Sequence, residues 1–281
     1  MRTHGRIDEL PGAGPADHVC WVYDEDAAFD DAVQQFLAGG MARNERVLCV
    51  GERVVEGLRT ADLDALIARG AVETLTLAQV YEATGPFHPE QQLAYYDAAT
   101  RRAVDAGYRG LRVIAEVSGL ASDPVARPEL VRWEQIADDY AAHGSGFSAM
   151  CAYRADLPRE ALADVTSVHP LVHAPQEPST FMLFAESDRL VLAGSVDTFS
   201  SDRLARLLES TAVPGDVVVL DLAALEFADV ATCRVLARWA AALAERSVAV
   251  EVSGSSALLR RVWRVLGLER VAPLRFVEST A

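Results

Sequence analysis

His18 and Cys20 stand two apart in the run HVCWVY over 18–23, and that spacing puts both side chains on one face of a strand. Cys151 and Tyr153 repeat the spacing in the run over 147–153. Imidazole and thiol on a shared face can contact a small ligand or a soft metal. With His169 they make a mixed nitrogen and sulfur set: His18, Cys20, Cys151 and His169. No short ligand spacing accompanies the set, so no metal and no cofactor are expected. The plainer alternatives are a small core residue for Cys20 and a hydrogen-bonded strand end for His18. Glu116 interrupts the apolar run over 113–117, where a carboxylate needs a partner or a task. The task would be a polar anchor at a strand's carboxyl end, and the alternative is an ion pair with Arg112. Tyr23 ends the first run, and Trp133 lies beside Glu134 on a helical stretch. Both are candidate ligand contacts, although a helical tryptophan is more often core. Tyr95 and Tyr96 read as packing.

Catalytic spacings are missing. There is no HExxH, EF-hand or dinucleotide-binding glycine pattern, and no Ser-His-Asp order can be argued. The chain therefore reads as non-enzymatic, the enzymatic alternative being Glu116 with His18 as an acid–base pair. All 26 basic residues are arginine, which excludes a Schiff-base lysine and a phosphate-loop lysine. The net charge of −15 argues against a non-specific nucleic-acid binder. Most of the surplus acid lies before residue 180, together with all six histidines. No apolar run reaches the length of a membrane span, and the four cysteines lack CxxC pairing. The expectation is a cytoplasmic protein with no membrane and no nucleic-acid partner.

Strands must position these residues. Apolar runs over 18–23, 46–50, 72–77, 111–117 and 147–153 alternate with helical periodicity over 24–40, 58–69, 89–106, 128–143 and 158–168. Such alternation predicts an α/β fold, a mostly parallel sheet flanked by helices. Gly39-Gly40 is read as loosening a helix end. Residues 1–14 read as a polar leader, 15–174 as the first domain and 175–180, with two prolines, as a linker. In the second domain, 181–281, strands are expected over 181–184, 190–193, 217–222 and 248–252. Helices are expected over 201–210, 231–246 and 256–267, the last buried through Leu258, Leu259, Val262 and Leu266.

The second domain resembles the STAS domain of bacterial anti-sigma factor antagonists. The likeness rests on Gly194-Ser195-Val196-Asp197, on VVLDLAALEFAD over 218–229 and on LLRRVWRVLGLERVA over 258–272. The family's D-S-S-G motif reads Asp229-Val230-Ala231-Thr232 here, so the usual phosphoacceptor serine is Ala231. Thr232 reads as a helix-start residue satisfying backbone donors. The resemblance implies a partner face of Asp197, Asp229, Val230, Ala231, Thr232 and Arg234, and an anti-sigma factor or switch-protein kinase as partner. The first domain resembles the MEDS sensory family through 18–23, 36–40, 111–116, Trp133-Glu134, 150–153 and 169–171. That family is similar to RecA-like ATPase domains without a phosphate loop, and Tyr23-Asp24-Glu25-Asp26 fills the loop's place. Three carboxylates there would repel a triphosphate. The two resemblances together imply a signalling protein that couples sensing of a small organic ligand to protein docking. A scaffold that has lost its ligand is the third reading.

Overall fold

The computed structural model describes residues 2–10, 17–58, 63–84, 87–176, 178–186, 188–213 and 215–278. The chain divides into two compact units, Met1–Pro178 and Ser179–Ala281.

The first unit runs β1 (Gly5–Arg6), β2 (His18–Tyr23), α1 (Asp26–Ala42), β3 (Arg46–Val50), α2 (Glu52–Gly57), α3 (Leu63–Ala68), β4 (Val72–Leu75), α4 (Leu77–Thr84), α5 (Pro89–Asp105), β5 (Leu111–Glu116), α6 (Ser118–Ser122), α7 (Arg127–Ala142), β6 (Phe147–Arg154), α8 (Arg159–Thr166) and β7 (Leu171–His173). Its seven strands pair in the order β1-β7-β2-β6-β5-β3-β4, and every pairing is parallel. Buried on both faces, the central strands need no polar alternation, so β2 is buried throughout and carries one imidazole ring, His18, at its start. Residues 1–14, read as a leader, contribute β1, which adds to the sheet edge beside β7. Within the expected helix over 58–69, Leu58 caps α2, α3 holds Leu63–Ala68, and 59–62 lie outside the described residues.

The two faces of this sheet divide the labour. Val19, Trp21, Tyr23, Ile114 and Met150 pack on one face with Phe29, Val33, Phe36 and Leu37 of α1. Arg112 is buried there. Its guanidinium lies 3.7 Å from the Phe36 ring centroid and 3.2 Å from Glu45, which also holds Arg43 at 2.6 Å. Gly40 does not loosen α1; it sits inside the helix and clears this arginine. A Cβ at 40 would stand 2.8 Å from Arg112 Cδ and 2.9 Å from Val47.

The second unit runs β8 (Phe181–Glu186), β9 (Arg189–Val196), α9 (Ser201–Ser210), β10 (Val217–Asp221), β11 (Leu225–Ala228), α10 (Val230–Glu245), β12 (Ala249–Ser253), α11 (Ala257–Val265), a short 3-10 turn (Leu268–Arg270) and β13 (Leu274–Phe276). The sheet order is β11-β9-β10-β12-β13, with β8 antiparallel to β9 and all other pairs parallel. Gly194 has φ +86°, and a Cβ there would meet the Thr180 carbonyl at 2.5 Å, so the glycine of the 194–197 motif is a backbone requirement. Leu258 departs from expectation. It is exposed, while Leu259 and Trp263 bury α11. Helical periodicity over five residues could not separate 258 from 259. Among the described residues, no helix is long and apolar enough to cross a membrane.

Candidate functional site

The face opposite α1 carries a polar cluster. β2 and β6 run side by side with His18 opposite Ala149 and Cys20 opposite Cys151. Strand alternation turns His18, Cys20, Cys151 and Tyr153 to this side, where α7 lays Glu134 and Asp138 over them. His169 enters from the turn between α8 and β7. His18, Glu134, Cys151 and His169 are all buried, and one donor atom from each lies within 4.8 Å of the others. Glu134 Oε2 is 3.1 Å from His18 Nε2, 3.1 Å from Cys151 Sγ and 3.5 Å from His169 Nε2. Tyr153 donates to the other oxygen, Oε1, at 2.6 Å. His169 Nδ1 donates to the Val165 carbonyl at 2.8 Å, and His18 Nδ1 stands 3.4 Å from Asp138, which is ion-paired to Arg2 at 2.9 Å. The presumed leader thus supplies a counter-charge to this site.

Burial by itself would raise the Glu134 carboxyl. The contacts from His169 and His18 outweigh it and hold that carboxyl well below the usual range. Burial would lower His18, but Asp138 and Glu134 outweigh it and the ring is raised. Burial and the charge on His18 push His169 down. The Cys151 thiol and the Tyr153 phenol are pushed well up by burial and by the Glu134 carboxylate.

Glu134 and Cys151 also line a cavity of about 30 Å³. Its other walls are mainly apolar, among them Val50, Ala115, Leu130, Trp133 and Tyr96, with Gln92 as a further polar group. Trp133 stacks on Tyr96 at 5.4 Å between ring centroids, so both pack and both face the cavity.

Sequence reasoning named His18, Cys151, Tyr153 and His169, and the fold brings them together. It missed Glu134, the hub, which stands where Cys20 had been placed among the donors. The available signal was a glutamate followed by an aspartate four residues on in a helix with buried Ala137 and Ala141. Tyr23 and Glu116 belong elsewhere. They lie on the α1 side at the carboxyl ends of their strands, with Tyr23 donating to Glu116 at 3.4 Å and Ser118 hydrogen-bonded to the same carboxylate. His18 and Glu116 therefore occupy opposite faces of the sheet and cannot act as an acid–base pair. Arg112 pairs with Glu45 rather than Glu116. The exposed residues Asp24, Glu25 and Asp26 follow β2, with Arg53 and Arg154 3.5 and 3.7 Å from Asp26.

In the second unit Asp229 caps α10, accepting from Thr232 N at 2.9 Å and from Thr198 Oγ1 at 2.7 Å. Thr232 is fully buried, and its hydroxyl donates to the Val196 carbonyl at 3.0 Å. The expected capping role thus belongs to Asp229, and Thr232 is a donor. Asp197 turns its carboxylate onto Phe199 N and Ser200 N of its own loop. Val230 and Arg234 are exposed, and Ala231 is half-buried. Phe199 and Phe227, which no sequence pattern marked, are 94% and 52% exposed on the segments flanking Asp229. Asp229→Ala is expected to destabilise the second unit by about 1 kcal/mol through loss of the cap. Urea unfolding checks this, and no change would mean that Thr198 and solvent replace the cap.

Comparison with known proteins agrees with this division. A family model described as MEDS, MEthanogen/methylotroph, DcmR Sensory domain, matches residues 17–170. One described as Mlab, STAS domain, matches residues 182–277. No curated protein matches. Among solved structures, a DUF1998 helicase MrfA bound to DNA and AMPPNP is similar at 10% identity and a TM-score of 0.30, over 94% of this chain. The chain spans 39% of that protein's length, and a likeness at this score carries no argument. On the extent of the first match, the chain belongs to the MEDS family, and its sensory domain is followed by a STAS domain.

Proposed function

We infer that this is a non-enzymatic cytoplasmic signalling protein whose first domain senses a small organic molecule and whose STAS domain docks a protein. The observation that carries the reading is the small apolar cavity floored by Glu134 and Cys151 in a domain of a sensory family. About 30 Å³ is room for roughly two water molecules, so the ligand has few heavy atoms. Its apolar part meets Val50, Leu130 and Trp133, and a polar end reaches Glu134 or Gln92. The output face is the start of α10 with Asp229, Val230 and Arg234, extended by Phe199 and Phe227. Exposed aromatics beside a charged rim suit a protein partner, an anti-sigma factor or switch-protein kinase. Ala231 has no hydroxyl and Thr232 is buried, so docking is set without the usual phosphate.

A thermal-shift panel of simple alcohols, amines and carboxylates tests the sensing. At least one member is expected to raise Tm in proportion to the logarithm of its concentration. Ala115→Phe, which fills the cavity, is expected to abolish that shift while preserving the fold. A shift that survives Ala115→Phe would place binding elsewhere.

A further inference from the structure

The geometry points to a mononuclear site for a divalent transition ion of borderline softness, with zinc as the reference metal, held by His18 Nε2, Glu134 Oε2, Cys151 Sγ and His169 Nε2. This goes beyond the sensing reading and does not depend on it, and it replaces the expectation that no metal is bound.

Four observations support the assignment. The first is spacing. Donors about 2.0–2.3 Å from a shared tetrahedral centre stand roughly 3.3–3.7 Å apart. The observed separations are 3.1 Å from Glu134 to His18, 3.1 Å from Glu134 to Cys151, 3.5 Å from Glu134 to His169 and 3.6 Å from Cys151 to His18. All four donors lie within 4.8 Å of one another, so movements of up to about 1 Å complete the shell.

The second is orientation by outer partners. Protein metal ligands have their remaining polar atom fixed from behind. Here His169 Nδ1 donates to the Val165 carbonyl, which turns the Nε2 lone pair inward. His18 Nδ1 faces Asp138, and Asp138 is held by Arg2. Tyr153 occupies Glu134 Oε1 and leaves Oε2 for the centre. Each outer contact thus selects the atom that converges.

The third is an unsatisfied atom. His169 Nε2 is fully buried and makes no hydrogen bond, with the Glu134 carboxylate oxygen 3.5 Å away. In the neutral ring that atom is a lone pair facing an anion, and a cation between them, a proton or a metal ion, gives both a partner.

The fourth is charge. A carboxylate and a thiolate balance a divalent ion, so the filled centre is neutral at no exposure to water. On binding, the Cys151 thiol and any proton on His18 Nε2 are released to solvent, and four bonds to the metal form. No electron is transferred. The donor set of two imidazoles, one thiolate and one carboxylate suits zinc or cobalt better than magnesium or calcium.

The test uses the full chain. Metal content is measured by mass spectrometry after purification without a metal-affinity step. The chelator-stripped protein is then titrated with Zn(II) against a chromophoric competitor and with Co(II) by absorption. About one metal per chain is expected, with a cobalt–thiolate charge-transfer band and the intense visible bands of four-coordinate cobalt. Cys151→Ser should abolish the charge-transfer band, and Cys49→Ser should keep it. Asp138→Asn, which alters the partner behind His18 and no donor to the ion, should weaken Zn(II) binding by about 10–100-fold. The cobalt spectrum of the unmodified chain decides the matter even where a variant fails to fold. A folded chain that binds neither ion, or binds with no charge-transfer band, overturns the assignment. A band that survives Cys151→Ser does the same by assigning the ion to another thiol.

Discussion

Glu134→Ala is expected to lower the stability of the first unit by about 3–5 kcal/mol, a Tm drop of roughly 6–20 °C for a unit of this size. The reason is what the substitution leaves behind rather than what it removes. The Tyr153 hydroxyl at 2.6 Å, the Cys151 thiol at 3.1 Å and the His18 ring at 3.1 Å, all buried, would lose their acceptor. Each unsatisfied buried donor costs on the order of 1–3 kcal/mol, and His18 would stand beside Asp138 without its second carboxylate. Glu134→Gln keeps the side-chain volume and an acceptor for Tyr153, so its loss is expected near 1–2 kcal/mol. Thermal unfolding of the full chain, with hydrogen exchange mapped to β2, β6 and α7, reads both effects. A change of less than about 1 kcal/mol for Glu134→Ala would show that the cluster is peripheral to stability.

Arg112 gives the second large effect, and a contrast between two substitutions. Arg112→Ala removes a buried side chain that covers Phe36 and opens a cavity beneath Gly39 and Gly40, at a cost of about 3–5 kcal/mol. Arg112→Met keeps most of that volume and is expected to lie within about 1.5 kcal/mol of the parent, on either side. The difference follows from the pairing. Glu45 retains Arg43 at 2.6 Å when Arg112 is gone, so no buried carboxylate is stranded. Burial, followed by the nearby charge of Arg43, pushes Arg112 down to about 10, the sign of a cation held at a cost. Urea titration of both variants is the check. Equal losses for Ala and Met would mean that the guanidinium charge, not its packing, holds this face.

The alternation of apolar runs with helical periodicity was enough to read the first sheet. A strand buried on both faces reads as a mainly apolar run whatever its neighbours, as β2, β3 and β6 do, and β5 keeps such a run between Arg112 and Glu116. Short elements were illegible for the same reason. β1 has two residues and β7 has three, too few for any period, and both exist because a neighbouring strand offers its edge. α6 follows β5 after the single residue Val117 and has five residues, less than the length at which periodicity appears. Gly40 looked like a helix end because the sequence cannot show an arginine arriving from β5.

The site was half legible. Two-residue spacing placed His18 with Cys20 and Cys151 with Tyr153 on common faces, and β-strand geometry makes that local. Which face His18 shares with Glu116 is not local. It depends on the pleat of one strand relative to another that begins 93 residues later, and the tertiary structure sets the two on opposite sides.

What the sequence determined by itself was composition and local order: no lysine, a surplus of acid in the first unit, and strand and helix periods. What only the tertiary structure decided was convergence. Glu134 on α7, His169 after α8, Cys151 on β6 and His18 on β2 meet because parallel strands β2 and β6 are neighbours and α7 crosses over them. Spacing along a chain fixes direction within one element. Distance between elements is fixed by packing, and packing made a glutamate that sequence reading passed over the centre of the site.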